Sequence, residues 1–186
     1  MRVVVAEDEA LIRLDLVEML EAAGYRVVGQ AGDGQQAVDL VGDLHPDLVF
    51  LDVAMPIRDG LSAAEEISAR RIAPIVMVTA FSQQDVVMRA ARAGAMGYLV
   101  KPFTPADIVP AIEVAMARWG ELVDLTEQVA DLKDRAKARQ TVDTAKEHLQ
   151  RVLGMTEPEA FAHLRRLAMD GRVTLAEAAA AYLATE

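Results

Sequence analysis

The residues with chemistry to offer stand at the ends of short apolar runs. Glu7 and Asp8 follow Val3–Ala6, Asp52 follows Leu48–Leu51, Thr79 closes Ile75–Thr79, and Lys101 follows Met96–Val100. A carboxylate that accepts a phosphoryl group is approached by a crowded anion. Two further carboxylates beside it repel unless a hard cation lies between them. Mg²⁺ meets that need, because it takes oxygen ligands, keeps several waters and bridges phosphate oxygens. Asp52 is the expected phosphoacceptor. Glu7, Asp8, Asp52 and the backbone carbonyl of Ala54 are the expected metal ligands. Lys101 would neutralise a phosphoryl oxygen, and Thr79 would give its hydroxyl to the attached group.

Singly, each residue has a plain structural reading. Glu7 and Asp8 suit a helix N-terminus, Asp52 could merely end a strand, and Lys101 could pair with it. An aspartyl-phosphate phosphohydrolase is the enzyme rival, but its second Asp, two residues after the nucleophile, is Ala54 here. Gly29, Gly32 and Gly34 stand in the wrong order for a dinucleotide-binding turn.

The elements that must position these groups follow from the pattern. Ala10–Ala23 carries Leu11, Leu14, Val17 and Leu20 at helical spacing, and Gly24 ends it. Tyr25–Val28, Asp47–Leu51, Ile75–Thr79 and Met96–Val100 read as strands after Val3–Ala6. Asp33 is a candidate helix cap, and further helical stretches fall near 61–70 and 83–93. Five buried strands separated by helices predict a parallel α/β sheet covered on both faces. Ligands of such sheets sit outside the C-terminal strand ends, where the polar residues gather.

From Pro105 the pattern is helical throughout. Ile108, Ile112 and Ala115 suit a last sheet-covering face. Leu122, Leu125, Val129, Leu132 and Ala136 step by threes and fours, the spacing of a short coiled-coil seam. Thr141–Leu153, Thr156–Asp170 and Thr174–Leu183 read as three amphipathic helices, with Gly154 closing the first, Thr156 and Glu159 forming a capping box and Asp170–Gly171 breaking before the third. The expected organisation is residues 1–120, a helical linker over 121–138, and a small all-α domain over 139–186.

Composition narrows the function. The 186 residues contain no cysteine, which removes disulfides, thiol catalysis and thiolate metal sites. No leader pattern and no apolar run near a membrane span are visible, so a cytoplasmic protein is expected. Residues 1–129 hold 10 Lys+Arg against 20 Asp+Glu, while residues 130–186 hold 9 of each. The first part repels nucleic acid; the second can bind a polyanion if its cations share a face.

Four segments, VVVAEDEALIR, PDLVFLDVAMPIRDG, PIVMVTAF and GAMGYLVKPF, together resemble the response-regulator receiver. The resemblance implies a doubly wound flavodoxin-like sheet in order 2-1-3-4-5, and phosphotransfer to Asp52 from a sensor histidine kinase. It places Tyr98 at an aromatic switch position coupled to Thr79, and makes the Lys101–Pro102 bond cis. The segment TAKEHLQRVLGMTEPEAFAHLRRLAMDGRVTLAEAA resembles the ANTAR domain, an RNA-binding antiterminator module, with Glu147 where that family commonly has Gly. This implies a non-enzymatic regulator that binds RNA hairpin loops and lets transcription continue, with pairing of two chains on phosphorylation as a further expectation. Lys146 and Gln150 on one helix and Phe161 and Arg165 on the next are the candidate RNA face, cations plus an aromatic being suited to unpaired bases. By spacing alone, Phe161 reads as core before it reads as a stacking platform, and Arg165–Arg166 as a solvated face. His148 and His163 have no partners at metal spacing, and His45 reads as a loop residue. A DNA-binding helix-turn-helix or a protein-interaction tail built on the seam remains open as the rival output, although Thr174–Ala181 is a poor groove reader.

Overall fold

In the computed structural model, residues 1–80 and 84–185 are described, with side chains for all of these except 84–87. The chain divides into two units, Met1–Leu122 and Val123–Glu186.

The first unit is a five-stranded parallel sheet in the order β2-β1-β3-β4-β5, with β1 at Arg2–Ala6, β2 at Arg26–Ala31, β3 at Leu48–Asp52, β4 at Ile75–Thr79 and β5 at Gly97–Val100. Strands β3 and β4 are buried along their whole length, as expected of a sheet with helices on both faces. Side chains alternate between two cores. Val4, Ala6, Val49, Leu51, Ile75 and Met77 face α2 (Gly34–Leu44), α3 (Gly60–Arg70) and α4 (Gln84–Arg92). Val3, Val5, Leu48, Phe50, Val76 and Val78 face α1 (Ala10–Ala22) and the first turns of α5 (Pro105–Leu153) through Leu16, Leu20, Ile108 and Ile112. The doubly wound architecture and strand order are those the sequence implies.

Local signals explain the boundaries. Gly24 takes a φ of 86° after α1. Asp33 caps α2, its Oδ1 accepting from the backbone N–H groups of Gln35 and Gln36 at 2.9 Å. Strand β2 runs three residues beyond Val28 because Gly29, Gln30 and Ala31 continue the pairing with β1. The expected start of α4 at residue 83 lies outside the described residues.

The helices of the tail differ from expectation at one point. No break separates the sheet-covering helix, the seam and the helix expected from Thr141; α5 is a single helix of 49 residues. The helix runs on through Pro110, which forgoes one backbone bond, and through Gly120, and ends at Gly154, whose φ is 65°.

In the second unit, Ala145 and Leu149 of α5 pack with Ala160 and Leu164 of α6 (Glu157–Gly171) and Ala179 of α7 (Leu175–Ala184). This core is small, so helix ends contribute a large share of its order. The Glu159 carboxylate accepts from the N–H and hydroxyl of Thr156 at 2.8 and 2.7 Å, and Glu177 does the same for Thr174 at 2.7 and 2.8 Å. Both carboxylates titrate below their ordinary range for that reason. Helix α6 continues through Gly171, and Arg172 takes the left-handed position, φ 53°. The expected break at Asp170–Gly171 therefore falls one residue later.

Gly60, the first residue of α3, lies where a Cβ would come 1.8 Å from the carbonyl oxygen of Asp52. Gly60→Ala should therefore displace the end of β3 and destabilise the first unit by about 1–3 kcal/mol or more. A lowered urea midpoint read on that unit's transition checks this.

Candidate functional site

The sheet carries its polar strand ends to one edge, and there the sequence-nominated residues meet. One carboxylate oxygen each from Glu7, Asp8 and Asp52 lie within 4.8 Å of one another. Glu7 and Asp52 are buried and Asp8 is exposed. Lys101 reaches in from the end of β5, with Nζ 2.6 Å from Glu7 Oε2 and 2.7 Å from Asp52 Oδ1. Its backbone N–H donates to the Thr79 carbonyl at 2.8 Å, which fixes β5 beside β4 at this edge. The Ala54 N–H donates to Asp52 Oδ2 at 2.8 Å. Asp8, Asp52, Ala54, Thr79 and Lys101 line one cavity of about 160 Å³.

Electrostatics makes this cluster unlike a surface ion pair. Burial pushes the Glu7 carboxyl above its ordinary range; the hydrogen bond from Lys101 opposes this and the charge of Asp52 adds to it. Burial works against the Lys101 ammonium as well, but its hydrogen bonds to Asp52 and Glu7 outweigh that and raise it. One cation thus pairs with two of the three acids.

Tyr98 stands two residues before the end of β5, paired in register with Met77, and is 53% exposed. The Lys101–Pro102 peptide is cis.

Two residues near the site escaped the sequence reading. The Arg13 guanidinium hydrogen-bonds the Glu7 carbonyl and so holds the turn that presents the acids. Its only sequence signal is its place in the first turn of an acid-led helix. Ile57 lies in the loop between β3 and α3 with a φ of 63° and is 87% exposed. A β-branched residue rarely adopts that conformation. The loop imposes it: Arg58 N–H donates to the Pro56 carbonyl at 2.6 Å, the Arg58 carbonyl accepts from Gly34 at 3.1 Å, and the Arg58 side chain pairs with Glu66 at 2.6 Å.

In the second unit, the four candidate RNA residues do not stand alike. Lys146 is only 17% exposed at its side chain, with Nζ 2.9 Å from Asp143 Oδ1 and 3.0 Å from Glu157 Oε1. Its charge is paired with these two acids of the same chain. Gln150 is half-buried. Arg165 is exposed and has no ion pair among the described residues. Phe161 is 44% exposed, not core. The core face of α6 is Ala160, Leu164 and Ala168, and Phe161 is turned about 100° from Ala160. The two histidines have a structural place, His148 Nδ1 lying 3.0 Å from the Tyr182 hydroxyl. His45 closes α2 in a left-handed conformation.

Comparison with known proteins agrees with this division. Residues 3–113 match the response regulator receiver domain, and residues 130–182 match the ANTAR domain. The chain belongs to the two-component response regulators that join a receiver to an ANTAR domain. It is 56% identical over 99% of its length to the transcriptional regulatory protein PdtaR of Mycobacterium tuberculosis, covering 90% of that protein. Over 60% of its length it is 39% identical to the chemotaxis protein CheY of Thermotoga maritima, covering 93% of it. The receiver domain of NarL from Mycobacterium tuberculosis superposes with a TM-score of 0.58 at 34% identity, over 60% of this chain and 91% of that one. The protein is thus a regulator and not an enzyme, with an antiterminator-type output domain. No described helix is long and apolar enough to cross a membrane.

Because Ile57 is both strained and exposed, Ile57→Asn should raise stability by up to about 1 kcal/mol, Asn being tolerant of a left-handed backbone. An increased denaturation midpoint with the acidic cavity unaltered is the expected outcome.

Proposed function

We propose that this regulator receives a phosphoryl group on Asp52 from a histidine kinase and, in response, binds RNA hairpins and prevents transcription termination. The observation that carries the first half is the convergence of Asp8, Asp52, Thr79 and Lys101 on one small cavity at the C-terminal edge of the sheet, with Glu7 buried beside it against Lys101 and Asp52. The ANTAR match supports the second half.

Glu7, Asp8, Asp52 and the Ala54 carbonyl would hold Mg²⁺. When bound, it supplies charge neutralisation between the acids and the incoming phosphoryl oxygens. The chain's own residues do the rest. The Ala54 N–H holds Oδ2 of Asp52 and Lys101 holds Oδ1, so the carboxylate is oriented before a donor arrives. An Asp52 oxygen forms a bond to phosphorus as the phosphorus–nitrogen bond of the phosphohistidine breaks. The electron pair of the broken bond stays on the imidazole, which takes up a proton and leaves neutral; the carboxylate loses its charge in the acyl phosphate, the phosphoryl oxygens keep the charge they arrive with, and Lys101 pairs with them. Thr79, buried on the cavity wall, donates its hydroxyl to the same group. Movement of Thr79 then shifts the half-exposed Tyr98 ring, and the change spreads along β5 and α5 by displacement of a preformed equilibrium.

The output reading rests on exposed groups in the second unit. Arg165 offers a cation with no ion pair among the described residues and Phe161 an exposed ring, and residues 130–186 balance 9 Lys+Arg against 9 Asp+Glu. Gln150 on α5 can add a hydrogen bond. RNA is favoured over duplex DNA because α7 presents Leu, Ala and Glu177, with no basic groove-reading face. Pairing of two chains through the α5 seam is part of the same proposal, since Leu125, Val129 and Leu132 are exposed.

Asp52→Asn should abolish labelling by radioactive acetyl phosphate, and chelation of magnesium should do the same to the wild-type protein. Lys101→Ala should lower the labelling rate by roughly a hundredfold. Undiminished labelling of the Asp52 variant would remove the assignment. For the output, gel shift with hairpin RNA against duplex DNA should show binding to RNA alone, strengthened by phosphorylation.

A further inference from the structure

We infer that Arg13 is a positioning residue for the cation that the receiver's acids would hold. By fixing the Glu7–Asp8 peptide it aims the Asp8 carboxylate, and it acts through that hydrogen bond, not through its charge. The inference rests on the Mg²⁺ reading above and deepens it by adding a residue outside the ligand set.

The donor set comes first. One carboxylate oxygen each of Glu7, Asp8 and Asp52 lie within 4.8 Å of one another, and hard oxygens at that spacing fit a hard divalent ion. Two of the three acids are fixed by contacts of their own. Glu7 Oε2 meets Lys101 Nζ at 2.6 Å, and Glu7 Oε1 accepts from the Glu9 N–H at 3.3 Å. Asp52 is held by Lys101 at 2.7 Å and by the Ala54 N–H at 2.8 Å. Asp8 is exposed, and its carboxylate has no hydrogen bond or ion pair among the described residues. Its direction is inherited from the backbone that carries it.

That backbone is pinned on both sides of Glu7. The Glu7 N–H donates to the Ala31 carbonyl at 3.1 Å. The Glu7 carbonyl, which belongs to the same peptide unit as the Asp8 amide, accepts from the Arg13 guanidinium. Because a peptide unit is planar, holding its oxygen fixes ψ of Glu7 and φ of Asp8 together. Arg13 is itself anchored in α1, its N–H donating to the Glu9 carbonyl at 2.9 Å. Its guanidinium reaches the turn after β2, where a Cβ on Gly32 would lie 3.8 Å from it. It makes no ion pair among the described residues, so its contact is with a neutral carbonyl. Charge and hydrogen bond then predict opposite signs. A cation beside a divalent-ion site repels the ion, and if charge alone mattered its removal would tighten Mg²⁺ binding. Removal of a group that orients a ligand loosens it.

The test uses the full-length protein, with Mg²⁺ alone titrated by calorimetry in the absence of any phosphodonor. Labelling by acetyl phosphate is then followed across Mg²⁺ concentration. Arg13→Met keeps the length and helix propensity of the side chain and removes the donor. It should weaken Mg²⁺ binding roughly tenfold. The Mg²⁺ demand of labelling should rise by the same factor, with the rate at saturating Mg²⁺ unchanged. Arg13→Gln, too short to reach the carbonyl, should behave alike and serves where Arg13→Met melts below the assay temperature. Arg13→Lys keeps a donor and should restore most of the affinity. Asp8→Asn should remove the binding that Arg13→Met weakens. Unchanged or tighter Mg²⁺ binding by both Arg13→Met and Arg13→Gln overturns the inference. So does a lower saturated rate with unchanged Mg²⁺ demand, which would place Arg13 in the phosphoryl step. An Arg13→Lys variant no better than Arg13→Met also overturns it and assigns the side chain to packing. A wild-type protein that binds no Mg²⁺ at millimolar supply removes the metal reading, and the inference with it. A wild-type protein that binds Mg²⁺ yet takes no label leaves the inference standing and removes phosphorylation of Asp52.

Discussion

The receiver depends on one crowded charge arrangement. Glu7 and Asp52 are buried within reach of each other and of Asp8, and a single ammonium, Lys101, lies between two of them. Burying like charges together costs several kcal/mol per ion without compensation. The compensation comes from outside the immediate neighbourhood in sequence, since Lys101 is brought by β5 and the acids by β1 and β3. Strand order is therefore part of the electrostatics. With β3 central and β1 and β4 beside it, the ends of three adjacent strands open into one cavity, and the anchoring of Lys101 N–H on Thr79 sets how far the lysine can reach.

The same crowding makes the site responsive. A cluster with surplus negative charge gains from any cation. Lys101 and Thr79 stand at the ends of β5 and β4, at the side of the sheet where Tyr98 is half exposed. The opposite side of the site is stiff. The loop after β3 is held by Gly34, Glu66 and the close contact of Gly60 with Asp52, and it carries Ile57 in a strained conformation.

The second unit solves a different problem. Its core is built largely from Ala and Leu and is small, so its helices are defined by capping boxes at Thr156 and Thr174, a left-handed Arg172 and the Lys146 tie to Asp143 and Glu157. Exposed ion pairs of that kind contribute little to stability; the packing of Ala160 and Leu164 decides which face of α6 turns inward and leaves Phe161, Arg165 and Met169 in solvent.

Much of this was legible in the residues. Runs of Val, Leu and Ile with intervening helical periodicity determined a two-sided parallel sheet, because only a strand buried on both faces is apolar at every position, and polar residues at run ends determined the edge where chemistry occurs. The identity of Asp52, Glu7, Asp8, Thr79 and Lys101 as one group followed from type and spacing. Side-chain direction did not. Phe161 reads as core from its neighbours, yet Ala160, Leu164 and Ala168 take that face and leave it outside, a rotation that periodicity over small residues leaves undetermined. Lys146 reads as a free cation until the fold brings Glu157, eleven residues on, against it. The left-handed Ile57 and the Arg13 hold on the Glu7 carbonyl were likewise decided by tertiary contacts. Local patterns state which residues want burial or charge; which partners they find depends on distances that only the packed chain establishes.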